Sequence, residues 1–266
     1  MILASIQRNN VKVSGNINGE KSIVFTHGFG TDQSGWSGIL PAFEKDYKIV
    51  VFDNAGAGGS DPAAFSPNKY STLQTYADDL IEICDALALR DIILVGHSMG
   101  GMAGILACLK RPHLAARLVL IGASPRYLND TNYTGGFDQA TLDAFYAQMS
   151  TNYFAWVSGF APAAMANAHR PGLAKRFAGT LQAIRPDIAQ SVAKVIFQSD
   201  YRSVIPLLDT ETLLLQANND IAVPMEVAVY LHRHIENSTL KIVNAEGHFP
   251  HISAPSEIVT AIKAFI

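Results

Sequence analysis

Short runs of consecutive apolar residues, bounded by turn-forming residues, recur along the chain at Ser22–Thr26, Ile49–Phe52, Ile92–Val95, Leu118–Ile121, Thr212–Gln216 and Leu240–Val243. Apolar runs without alternation predict strands buried on both faces. Between them, apolar residues spaced three and four apart over Thr72–Ala88, Gly101–Lys110, Val223–His234 and Pro255–Phe265 predict helices. Strands alternating with helices predict an α/β fold with a mostly parallel, doubly wound sheet.

The alternation stops between Ile121 and Thr212, where "FDQATLDAFYAQMSTN", "YFAWVSGFAPAAM", "PGLAKRFAGTLQAI" and "PDIAQSVAKVIFQSD" carry helical spacing punctuated by Pro162, Pro171 and Pro186. Four helices and no strand predict a four-helix lid inserted over the C-terminal edge of the sheet, where open parallel sheets bind ligands. The expected division is a core over 1–124 and 205–266 with a helical lid over 125–204.

Composition narrows the function classes. Hydrophobic residues make up 48% and charged residues 16% of the 266, which suits a packed core. A formal charge of −3 offers no basic face for nucleic acid or anionic lipid. Cys84 and Cys108 form no CxxC pair and read as buried free thiols. "MILASIQRNN" turns polar too early for a signal peptide, no run is long enough to span a membrane, and a cytoplasmic protein is expected. The Asn-x-Ser/Thr triplets at Asn129, Asn132 and Asn237 are then coincidental. No exposed heptad or patch stands out, so a monomer is expected.

The chemistry enters at "IILVGHSMGGMAG", where Gly96-His97-Ser98-Met99-Gly100 matches G-x-S-x-G. Three fixed residues in five is weak alone. An apolar strand before it and a Gly/Ala-rich helix after it make the nucleophile-elbow context, with Ser98 at the tip. An acyl intermediate then needs two N–H donors, worth about 3 kcal/mol each. The amide of Met99 is one, and "HGFG" after the first apolar run supplies the other at Phe29. His27 and His97 read as structural. "DNAGAGGSD" reads as a tight turn, since its glycines fit neither G-x-G-x-x-G nor a P-loop, and no cofactor is expected.

In chains of this kind the acid and base follow the serine in the order carboxylate, then histidine. Asp220 follows the Thr212–Gln216 run and His248 follows the last run, so both loops emerge on the Ser98 edge. Asp209 precedes its strand and falls at the far edge. His251 follows Pro250 on the way into the final helix and reads as structural or supporting. Pro250 keeps the pair off a regular helix face and no third ligand stands nearby, so no metal is expected.

These residues in this order resemble the α/β-hydrolase superfamily, and within it the RsbQ-like regulators and karrikin–strigolactone receptors. The stretches that carry the likeness are "HGFGTDQSGW", "FDNAGAGGSD", "GHSMGG", "ASPRYLND", "GGF", "RPDIAQSVAKVIFQSD", "DIAVP" and "GHFPHISAP". The resemblance implies a Ser98–Asp220–His248 triad, oxyanion amides at Phe29 and Met99, and a pocket lined by Phe29, Tyr127, Phe137, Trp156, Phe160, Phe177 and Phe197. It implies a serine esterase or lactonase acting on a small hydrophobic ester or lactone. The alternative it carries is a slow-turnover regulator with a signalling protein partner. Two departures are visible. Ser98-Met99-Gly100-Gly101 replaces the Ser-Val-Ser-Ala of the plant receptors and favours a microbial hydrolase, and Glu211 stands where relatives carry proline.

Overall fold

The computed structural model describes residues 2–266, with side chains from Ala4 onward. Met1, the first residue of the segment read against a signal peptide, lies outside the described residues. Seven strands form one sheet: β1 (Lys12–Gly15), β2 (Ser22–Thr26), β3 (Lys48–Val51), β4 (Ile92–His97), β5 (Ala115–Ile121), β6 (Glu211–Asn219) and β7 (Ser238–Glu246). Their order is β1-β3-β2-β4-β5-β6-β7. β1 pairs antiparallel with β3 and every other pairing is parallel.

Helices α1 (Ile2–Arg8), α2 (Leu73–Ala86), α3 (Met99–Lys110), α8 (Met225–His234), α9 (Pro250–Ser253) and α10 (Pro255–Phe265) surround the sheet. The apolar runs of β2 to β6 do not alternate because those strands are buried on both faces, whereas β7, at the sheet edge, is mostly exposed. Val24, Val50, Leu94, Leu118 and Leu214 point into the core shared with α2, α3 and α8. Their neighbours Ile23, Ile49, Val95, Val119 and Leu215 join Trp36, Phe43 and α10 on the other face.

The stretch between β5 and β6 holds α4 (Gln139–Thr151), α5 (Tyr153–Met165), α6 (Pro171–Ala183) and α7 (Pro186–Phe197), each within a few residues of its expected span. α5 packs on α6 and on α4, and α4 packs on α7. Asp138 and Asn152 cap α4 and α5 by accepting from Thr141 N and Ala155 N. The helices are tied to the sheet layer by Thr180 Oγ1 donating to the Gly30 carbonyl at 2.8 Å and Arg170 Nη1 donating to the Ser253 carbonyl at 2.7 Å. At their base Arg126 and Arg202 both hold Asp200.

Two elements lack a sequence signal. β1 has all four residues exposed, so no apolar run marks it, and it forms because the β3 edge accepts its backbone. α1 is anchored instead by Arg8, which pairs with buried Asp79 at 2.8 Å. Cys84 and Cys108 are buried and unbridged. Glu211 pairs with Arg117 at 3.1 Å.

Candidate active site

Because β4, β6 and β7 run parallel, the loops that follow them leave from one edge of the sheet. Ser98 sits between the last residue of β4 and the first of α3, at φ 52 and ψ −121, a strained conformation for a residue with a Cβ. The turn closes only because its neighbours are small: a Cβ on Gly96 would lie 2.6 Å from the Gly101 Cα. The Ser98 amide is spent on the Ile121 carbonyl at 2.9 Å, which fixes the elbow to β5.

His248 leaves β7 through Gly247, whose φ of 84 makes the sharp exit and whose missing Cβ avoids the Met165 carbonyl. The His248 amide donates to the Ala164 carbonyl of α5 at 2.8 Å, so a helix of the inserted segment sets the height of the imidazole. His248 Nδ1 lies 2.8 Å from Asp220 Oδ2, and Nε2 lies 2.9 Å from Ser98 Oγ. Asp220 Oδ1 is occupied by the amides of Ala222 and Val223 at 2.8 and 3.1 Å, which aims Oδ2 at the ring. A neutral imidazole donating from Nδ1 leaves Nε2 to accept the serine proton, the arrangement needed for a general base. Asp209, at the opposite edge, holds Asn237 instead.

Phe29 and Met99 line one narrow cavity together with Gly28, Gly30, Ile184 and Val192. Met99 opens α3, so its amide belongs to the helix end where N–H groups lack intrahelical acceptors and negative charge is favoured. The Phe29 loop is held by residues the sequence reading passed over as a turn. Asn54 donates from its amide to His27 Nε2 at 2.9 Å and from Nδ2 to the His27 carbonyl at 2.8 Å. Asp53 accepts from Gln33 N at 2.9 Å and from Gly59 N at 2.8 Å. The available signal was positional: "DNAGAGG" follows β3, the neighbour of β2, at the same edge.

Three further histidines crowd the site without joining the hydrogen-bonded chain. His27 Nδ1 donates to the Gly28 carbonyl at 2.8 Å. His97 Nε2 donates to the His248 carbonyl at 2.8 Å and so braces the base from behind. His251 packs its ring 4.6 Å from Trp36 and 4.3 Å from His97 and makes no hydrogen bond to Ser98. Among the described residues no group of His, Cys, Asp and Glu is arranged to hold a metal.

Burial is the main cause that pushes all three below the ordinary histidine range, His251 to about 3 with added repulsion from His248 and Arg176. Each folded value lies under the unfolded one, so on acidification the unfolded chain binds protons first. The stability these groups contribute is complete above about pH 6.5 and drains away as pH falls, for His251 down to about 3. Urea unfolding is therefore expected to show stability dropping below pH 6.5, with His251 alone contributing about 1.4 kcal/mol per pH unit down to about pH 3. A flat profile from pH 7.5 to 5 would contradict this.

Of the aromatic side chains expected to line a pocket, Phe29 lines the narrow cavity beside Met99, whereas the other six are not among its lining residues and meet in a cluster of their own. Trp156 stacks on Phe160 at 5.0 Å, Phe137 and Tyr127 meet Phe197 edge-on at 5.4 and 5.0 Å, and Phe177 lies 6.1 Å from Phe160. Phe145, which the sequence reading did not single out, joins it, touching Trp156, Phe160 and Phe197 at 5.2 to 5.6 Å. Tyr127 alone reaches the serine: its Oη lies 3.2 Å from Ser98 Oγ.

Comparison with known proteins agrees with this architecture. Residues 21–255 match the family described as alpha/beta hydrolase fold. The chain is 45% identical to the strigolactone esterase RMS3 of Pisum sativum, covering 96% of this chain and 95% of that one. It is 43% identical to the karrikin insensitive 2 receptor CA of Petunia hybrida, covering 98% and 96%. Among solved structures, a hydrolase from Oleispira antarctica superposes with a TM-score of 0.95 at 34% identity, covering 99% of this chain and 96% of that one.

Proposed function

This chain belongs to the α/β-hydrolase fold family, and from that footing we propose that it is a serine hydrolase of small, largely apolar esters or lactones. The observation that carries the reading is the unbroken chain from Ser98 Oγ through His248 to Asp220 on a strained elbow. Ser98 attacks the carbonyl carbon while His248 Nε2 takes its proton. Asp220 stabilises the imidazolium and holds its tautomer. The amides of Phe29 and Met99 receive the oxyanion, and His248 returns the proton to the leaving oxygen. Water, activated by the same imidazole, releases the acid. Residues 125–204 act as a lid whose aromatic face selects apolar acyl groups and excludes carboxylates and phosphates, since no cationic cluster faces them.

The test is a panel of p-nitrophenyl acetate, p-nitrophenyl butyrate and small lactones, with rapid acid quench and peptide mass analysis. Hydrolysis with an acyl group on the Ser98 peptide is expected. Intact substrates would overturn the reading.

A second reading rests on the names of the relatives, a strigolactone esterase and a karrikin receptor. In it the chain hydrolyses a hydrophobic lactone slowly and signals to a protein partner. The bond from the His248 amide to Ala164 supplies a route from the acylated site to α5. Turnover above about 10 per second, the median for enzymes, would count against this second reading.

A further inference from the structure

Ser98 Oγ has two polar neighbours, His248 Nε2 at 2.9 Å and Tyr127 Oη at 3.2 Å. The serine carries one proton, and the imidazole, whose Nδ1–H faces Asp220, can only accept it. The bond to Tyr127 must then run the other way, with the phenol donating to the serine oxygen. Tyr127 is 2% exposed, its ring rests edge-on against Phe197 of α7, and its carbonyl accepts from the Phe137 amide. Burial raises its pKa, so it stays a phenol across the neutral range and can donate but not act as a base.

We infer that Tyr127 is a further catalytic residue, a hydrogen-bond donor that stabilises Ser98 Oγ as the leaving group when the acyl-enzyme breaks down. The inference rests on the serine-hydrolase reading above. In deacylation water adds to the acyl carbon and His248 Nε2 takes its proton. The C–Oγ bond then breaks, its electron pair stays on Oγ, and His248 returns the proton to Oγ as the carboxylic acid departs. Tyr127 keeps its own proton throughout and offers its O–H to the charge developing on Oγ.

The effect is selective because catalysis depends on differences between ground and transition states. In the free enzyme the serine oxygen already accepts the phenol proton, so the bond changes little on the way to attack. In the acyl-enzyme Oγ is an ester oxygen and a poor acceptor, so the bond is regained only in the transition state for expulsion. Deacylation therefore gains more from Tyr127 than acylation does.

The experiment compares wild type with Tyr127→Phe, which keeps the ring against Phe197, on p-nitrophenyl acetate. The expected result is a fall in kcat of about ten-fold, the scale of one hydrogen bond to a charging oxygen, with KM falling in parallel and kcat/KM changed by less than about three-fold. A burst of about one p-nitrophenolate per enzyme should appear, and quenched samples should show acylated Ser98 accumulating at steady state. Equal falls in kcat and kcat/KM would place the lost interaction in the acylation transition state instead and overturn the inference. So would unchanged kcat. If wild type itself released no product, the hydrolase reading would fail first, a result distinct from wild-type turnover that Tyr127→Phe leaves unaltered.

Discussion

Ser98→Ala is expected to lower kcat on p-nitrophenyl esters by about a million-fold, the size of loss seen when a triad nucleophile is removed. The change deletes one buried oxygen and leaves a Cβ at the same strained backbone, so the elbow geometry persists. Thermal unfolding should stay within a few degrees of wild type, because no packed carbon is lost and His248 keeps Asp220. No acyl adduct should appear on the elbow peptide. Ligand binding measured by thermal shift should survive, since Tyr127 is the one member of the aromatic cluster that touches the hydroxyl. Full activity in this variant would remove Ser98 from the chemistry and with it the proposed mechanism.

The second large effect separates two histidines three positions apart. His248→Ala removes the group between Ser98 and Asp220, and turnover should fall by at least about ten-thousand-fold. It also leaves the Asp220 carboxylate in a nearly dry site with two backbone amides and a long bond from Gln216 Nε2, so a lower melting temperature is expected as well. His251→Ala acts on packing instead. Its ring lies between Trp36 and His97, so its loss should cost about 1–3 kcal/mol of stability while changing kcat/KM by only a few-fold. A chelator should alter neither wild type nor variants. Steady-state kinetics and urea unfolding on both variants decide the assignment, and a collapse of turnover in His251→Ala would reverse it.

The asymmetry of the pair could be read from position alone. His248 is one residue past the sharp exit of β7, whereas His251 lies inside the short α9, packed on Trp36 and His97. That His97 holds the His248 carbonyl, and Ala164 its amide, could not be read. Both contacts join segments far apart in the chain, and no local pattern marks them. Phe145 was overlooked for a related reason. Within α4 it looks like ordinary core, and its role shows only where Trp156 and Phe160 of α5 and Phe197 of α7 converge on it.

What the sequence determined by itself was the order of elements and the type of chemistry. Uninterrupted apolar runs specify doubly buried strands, three-and-four spacing specifies helices, and parallel strands then oblige Ser98, Asp220 and His248 to leave from one edge. Those are local properties, each encoded within a few residues. Only the tertiary structure decided what carries no local mark. β1 exists because the edge of β3 accepts its backbone. Asp53 and Asn54 clamp the Phe29 loop because β3 lies beside β2. Tyr127 shares the serine oxygen with His248 because the segment after β5 folds back over the elbow. Packing between distant segments fixes such positions to a fraction of an ångström, and it is there that the site acquires its hydrogen bonds.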